Sequence, residues 1–248
     1  MKHYIYLILA LCILSCDSES ANDCFQESGN SIQEEFIVSD FEKILVNRNV
    51  ELILKEGPDI QVIIETGENL LNDIDVKVVN NELQLTDNNI CNYVRDYAST
   101  KVYVTAPNIT HIRSSTQFDI SSDGVLNYDS LRLLSEDFSA SGTFTVGDFK
   151  LVVNTQNLRI TSNNISSYYI SGETEDLFVG FYSGTGRFQG ENLIAQNVDI
   201  YHRASNDMVV HPQLSLTGEL RGTGNLISLN VPPTVEVEEL YTGRLIFR

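Results

Sequence analysis

Apolar and polar residues alternate in short runs along most of this chain. Val50-Glu-Leu52-Ile-Leu54, Ile60-Gln-Val62-Ile-Ile64, Ile74-Asp-Val76-Lys-Val78, Leu83-Gln-Leu85 and Val102-Tyr-Val104 each place apolar side chains at every second position. Each run stops at turn formers: Gly57-Pro58, Gly67, Asn80-Asn81, Asp87-Asn88-Asn89 or Pro107-Asn108. Successive side chains of a strand point to opposite faces, so a period of two predicts strands with one buried face. A helical period is nearly absent. The exception is Glu68 to Asp73, which has room for a single helical turn.

Beyond Asn108 the alternation acquires a second, longer period. One apolar series runs Ile112, Leu131, Leu151, Ile170, Phe188, Met208, Leu226, Leu245, in steps of 18 to 20. Another runs Ile120, Ala140, Ile160, Val179, Ile200, Leu216, Val237, in steps of 19 to 21 broken by one of 16. Two interleaved series with one period predict an all-β, β-helix-like solenoid of about 20-residue coils. A single coil cannot bury its inner face, whereas stacked coils share a continuous core. The corners agree: many of the 22 Asn and 15 Gly fall between the apolar pairs, as at Ser141-Gly142, Asn163-Asn164, Gly184-Thr-Gly186 and Gly222-Thr-Gly224. Both residue types tolerate the left-handed backbone of tight corners. The competing arrangement is an irregular antiparallel sandwich.

The N-terminus reads as an export signal. Lys2 and His3 precede an apolar run from Tyr4 to Leu14, too short to span a membrane. The run ends in Ile13-Leu14-Ser15-Cys16, which resembles a bacterial lipobox, cut before a cysteine that then carries lipid. Residues 1–15 are thus expected to be a lipoprotein signal peptide, Cys16 the lipidation site, and 16–35 a polar tether. An ordinary secretory signal is the alternative. After cleavage two non-lipidated cysteines remain, Cys24 and Cys91. In an oxidising compartment such a pair is usually bridged; two free thiols or a metal pair are the other readings.

Charge narrows the partners. The chain has 16 Lys+Arg against 34 Asp+Glu, a net −18. Nucleic-acid binding through phosphate neutralisation, and docking on anionic lipid through a basic face, both need clustered cations. The acidity is heaviest in the tether and N-terminal strands, where it serves as a solubilising coat.

The spacing Phe41-x-x-Ile44-x-Val46, Val50-x-Leu52-x-Leu54-x-x-Gly57, Val62 and Glu68-Asn69-Leu70-Leu71 carries a resemblance. It continues through Ile74-x-Val76-x-Val78, Leu83-x-Leu85 and Val102-x-Val104-x-x-Pro107-x-Ile109. Over roughly residues 36–248 the chain resembles the bacterial head GIN domain family, or autotransporter-type adhesins. Only Gly184-Thr-Gly186 and Gly222-Thr-Gly224 keep the family's glycine pair, and neither is followed by Asp. The resemblance implies a right-handed solenoid and an envelope location. Residues 36–108 are then N-terminal strands and 109–248 repetitive coils.

Catalytic patterns are missing. There is no Gly-x-Ser-x-Gly, no His-Glu-x-x-His and no Gly-Lys phosphate loop. His202 and His211, with Asp207, form a weak metal pattern that reads better as two surface histidines. Glu136-Asp137, Glu173/Glu175/Asp176 and Glu236/Glu238/Glu239 are acidic clusters that read as solvated acid; the other reading is a carboxylate or Ca²⁺ site acting on polysaccharide. Tyr182, Tyr201, Arg221 and Tyr241 share one coil register, which predicts an exposed Tyr-Tyr-Arg-Tyr column for binding, or a packing ladder. No catalytic residue, metal or cofactor is expected.

The reading is a non-catalytic, lipid-anchored envelope protein, probably at the outer membrane by location signal, that binds a glycan or a protein partner. A homodimer through a solenoid end is also expected, since an open end presents unpaired strand edges. A polysaccharide-acting enzyme and a purely structural rod are the alternatives.

Overall fold

The computed structural model describes residues 24, 26–89, 91, 93 and 100–248. The signal peptide and Cys16 lie outside the described residues. The fold is all-β: seventeen strands form one hydrogen-bonded sheet, and a single 3-10 turn, Leu71–Asp73, occupies the place foreseen for a helical turn.

The sheet divides into two ribbons with the core between them. One ribbon stacks, in spatial order, β6 (Glu82–Asp87), β2 (Lys43–Val46), β8 (His111–Ser114) and β10 (Ser130–Ser135). It continues through the second halves of β11 (Phe149–Ser162), β12 (Tyr168–Phe181), β13 (Phe188–His202) and β14 (Met208–Leu220), and ends at β16 (Thr234–Glu239). All these pairings are parallel. The other ribbon stacks β7 (Thr100–Ala106), β3 (Val50–Glu56) and β9 (Ile120–Leu126). It then takes the first halves of β11 to β14, followed by β15 (Leu226–Ser228) and β17 (Leu245–Phe247). Antiparallel strands finish the N-terminal end: β1 (Ser31–Phe36) and β4 (Gln61–Gly67) outside β7, and β5 (Ile74–Val79) outside β6.

The alternation explains which face is buried. Val50, Leu52 and Leu54 of β3 and Leu158 and Ile160 of β11 are buried, whereas the residues between them are not. Each such side chain contributes about 1.5–3 kcal/mol on leaving water. In the second half, Phe149, Tyr168, Phe188, Met208, Leu226 and Leu245 are successive partners in one ribbon. Ile160, Val179, Ile200, Gly218 and Val237 are successive partners in the other. The partners are 18 to 21 residues apart.

The structure corrects the two apolar series at several places. Ile112 pairs with Leu133 and belongs to the ribbon of Ile160; Ile120 pairs with Phe149 and belongs to the other. The irregular step of 16 has a physical cause. The true partner of Ile200 is Gly218, not Leu216, which sits two residues earlier opposite Val198. Gly218 has φ +124°, and a Cβ there would lie 2.0 Å from the Ile200 carbonyl oxygen, so no apolar residue fits that rung.

Cys24 and Cys91 form a disulfide. It ties the N-terminal arm to the segment after β6, and closing a loop of 67 residues is worth about 4 kcal/mol in the chain-entropy account. The arm is further held by Gln26 Nε2, which donates to the Asn69 carbonyl at 2.7 Å, and by Asn69 Nδ2, which donates to the Glu27 carbonyl at 3.1 Å.

Candidate functional surface

The ribbon ending at β16 presents its outer residues as rungs, each strand giving one side chain at nearly equal height. Tyr182, Tyr201 and Arg221 meet on this side. The Tyr182 and Tyr201 rings stack with centroids 4.9 Å apart, and the Arg221 guanidinium lies 5.8 Å from the Tyr201 centroid. Phe138 adds an edge contact to Tyr182 at 5.8 Å. Arg221 is also ion-paired with Glu219. The three do not share a register. The buried rung is Phe181, His202 and Leu220, so Tyr182 and Arg221 follow it while Tyr201 precedes it. The contact runs diagonally because residues on either side of an inward rung both leave toward solvent. Tyr241 is 59% exposed at the end of the ribbon, and among the described residues no ring or cation contact ties it to the other three.

Beside this stack lies a groove of about 450 Å³ crossing five strands from β10 to β14. One rung of its floor is Ser130, Asn157, Asp176, Asn197 and Ser215, in that strand order. Asn197 Nδ2 donates to Asp176 at 3.0 Å, and Ser215 Oγ donates to Asn197 at 2.9 Å. The next rung begins beyond the groove. It runs Glu82, Lys43, His111, Arg132, Arg159, Phe178, Asp199, Thr217 and Glu236 across nine strands. Four consecutive members are basic residue types. Arg159 lies 3.8 Å over the Phe178 ring. Burial and the neighbouring Arg132 and Lys43 charges lower the His111 pKa, with Glu82 opposing. Sequence reading missed this run because Lys43 comes 68 residues before its neighbour His111, outside the coil period.

The other candidates fall into structural roles. His202 is not a surface residue: it is fully buried, edge-on to Phe181 at 6.2 Å, and neither ring nitrogen has a hydrogen-bond partner of good geometry. Burial lowers its pKa to about 4, although the Asn206 backbone and the Asp207 carboxylate pull the other way. Among the described residues no three His, Cys, Asp or Glu gather as a metal site. Glu136 is not solvated acid either. It is 2% exposed and pairs with Arg113 at 2.8 Å, with Ser139 hydrogen-bonding both carboxylate oxygens. Desolvation alone would raise its pKa, but the Ser139 and Arg113 hydrogen bonds hold it below the ordinary value. Glu173, Glu175, Glu236, Glu238 and Glu239 are exposed. The paired glycines are packed corners: a Cβ on Gly184 would lie 2.1 Å from the Asn164 carbonyl oxygen.

The sequence family described as "Putative auto-transporter adhesin, head GIN domain" matches residues 40–232. Among solved structures, a putative adhesin from Bacteroides fragilis NCTC 9343 is similar in fold, with a TM-score of 0.80 at 18% identity, covering 90% of this chain and 99% of its own. A putative adhesin from Parabacteroides merdae ATCC 43184 has a TM-score of 0.61 at 16% identity, covering 90% and 98%. A putative lipid binding protein from Parabacteroides distasonis ATCC 8503 has a TM-score of 0.60 at 12% identity, covering 88% and 97%. No curated protein matches.

Proposed function

The chain belongs to the head GIN domain family of putative auto-transporter adhesins, and from that membership we propose a non-catalytic binding module held at the bacterial cell envelope. The observation that carries the reading is the continuous outer surface of one ribbon, where the Tyr182–Tyr201–Arg221 stack adjoins a groove crossing five strands. Stacked rings and an open groove offer area for a glycan or a protein partner, and the acidic clusters converge on no catalytic pair. Parallel partners 18 to 21 residues apart support coils of a solenoid, and the preference of parallel crossovers supports the right hand. In this proposal residues 1–15 are removed, lipid on Cys16 anchors the protein at the outer membrane, residues 16–35 are the tether, and 36–248 form the binding domain. The four carboxylate-rich exposed positions on or after β16 disfavour pairing through that edge, so the proposed homodimer uses β17, where Ile246 and Phe247 are exposed.

The test combines protease shaving of intact cells, with wild type and Cys16→Ala compared for membrane retention, and a glycan array and surface pull-down with the purified domain. The expected result is an anchored, protease-accessible protein whose capture of partner falls with Tyr182→Ala/Tyr201→Ala. An empty array together with an empty pull-down refutes the binding role.

A further inference from the structure

The basic run is out of keeping with the rest of the molecule. Acids outnumber bases by 34 to 16 in the chain, yet Lys43, His111, Arg132 and Arg159 occupy four consecutive rungs on one outer face. At strand spacing these rungs span about 14 Å. Like charges directly opposite one another across a ladder are destabilising. Nothing on the described surface relieves them: Lys43, Arg132 and Arg159 take part in none of the five ion pairs among the described residues. Glu82 faces Lys43 at one end, and Arg113, two residues beyond His111, spends its charge on buried Glu136. Arg132 and Arg159 are exposed, and the Arg159 plane is presented by the Phe178 ring beneath it.

We propose that this strip, with the groove beside it, binds a linear anionic polysaccharide whose carboxylate or sulfate groups sit on Lys43, His111, Arg132 and Arg159. The proposal rests on the binding-module reading above and names the ligand chemistry of that surface. Rungs repeat at about 4.8 Å, close to the length of one sugar unit, so successive charged sugars meet successive cations. Arg forks match carboxylate and sulfate geometry. The adjoining Ser130–Asn157–Asp176–Asn197–Ser215 rung offers amides, hydroxyls and a carboxylate to sugar hydroxyls, and Phe178 offers a stacking face. Nucleic acid and anionic membrane fit less well. The strip is short, bounded by Glu82 at one end and by Asp199 and Glu236 beyond Phe178 at the other, and the strongly acidic remainder repels an extended polyphosphate or a charged plane.

Titration calorimetry with the purified domain tests this, using a polygalacturonate hexasaccharide and a heparin hexasaccharide as probes. Cellohexaose, a single-stranded oligonucleotide and phosphatidylglycerol vesicles serve as comparisons. The expected result is binding of at least one anionic hexasaccharide, weakened by salt, and weakened tenfold or more by Arg132→Glu/Arg159→Glu and by Lys43→Glu. Arg187→Glu, at an exposed corner outside the strip, leaves the affinity unchanged. Arg132→Gln/Arg159→Gln replaces the reversal pair if that pair melts differently from wild type. Failure of both anionic glycans to bind, insensitivity to these substitutions, or tighter strip-dependent binding of the oligonucleotide or vesicles overturns the proposal. A neutral glycan or a protein captured equally by wild type and Arg132→Glu/Arg159→Glu also overturns it, while leaving the binding-module reading in place.

Discussion

Replacing His202 by Leu makes the fold less sensitive to acid. His202 sits on an inward rung between Phe181 and Leu220, fully buried and without a hydrogen-bond partner of good geometry for its ring nitrogens. Desolvation disfavours the imidazolium and lowers its pKa from 6.5 to about 4. The unfolded chain therefore takes up a proton on this residue that the folded chain refuses. The sign follows: stability is complete above pH 6.5 and is lost as pH falls toward 4. Each tenfold in proton affinity is about 1.4 kcal/mol, so the loss reaches about 3 kcal/mol by pH 4. Other acidic groups shift stability in the same range, so the diagnostic quantity is the difference between wild type and His202→Leu. Urea unfolding of both proteins at several pH values between 7 and 4 measures it. The expected outcome is a gap that moves by about 3 kcal/mol in favour of the variant as pH drops. A gap constant to within about 0.5 kcal/mol, or a His202 ring that titrates near its ordinary value by NMR, refutes the argument.

Three further perturbations have definite outcomes. Arg113→Met strands the Glu136 carboxylate in the core and is expected to destabilise by about 3 kcal/mol at pH 7. That penalty shrinks below the ordinary Glu value of 4.5, where the wild-type pair itself is lost as Glu136 protonates; denaturant unfolding at the two pH values checks both. Reduction, or Cys24→Ser/Cys91→Ser, removes up to about 4 kcal/mol, read as a lowered urea midpoint with little change in the spectrum of the folded strands. Gly218→Ala places a methyl against the Ile200 carbonyl at a positive φ and is expected to cost about 3 kcal/mol, or roughly 6–12 °C in Tm by calorimetry.

What could be read from sequence follows from which interactions leave a mark there. Each strand has one buried face, so the alternation at Val50–Leu54 or Val102–Val104 announced β3 and β7 directly. The longer period was legible wherever the inward rung is apolar, as from Phe188 to Leu245. It failed at Gly218, where backbone crowding excludes any side chain, and at Ile112 and Ile120, whose ribbons exchange because β2 and β3 intercalate from far upstream. Tyr201 was assigned to the register of Tyr182 because a repeat count carries no information about a one-residue shift between coils. Glu136 looked solvated because its partner Arg113 lies 23 residues earlier, one strand away in space. The basic strip left no sequence signal because its four members come from strands at unequal separations.

The disulfide also decides how the fold meets mechanical load. A pull on the chain before Cys24 reaches two covalent routes at once, the arm leading to β1 and the bridge to Cys91 behind β6. Without the bridge, tension would act on β1, which is held as an edge strand by β4, and an edge pair opens one rung at a time. With it, Cys24 cannot leave Cys91, and the force spreads to the segment that follows β6. In a family named for adhesion, that turns the weakest edge of the sheet into a protected one, so the link to the cell and the gripping surface share a strain path that does not begin by unzipping.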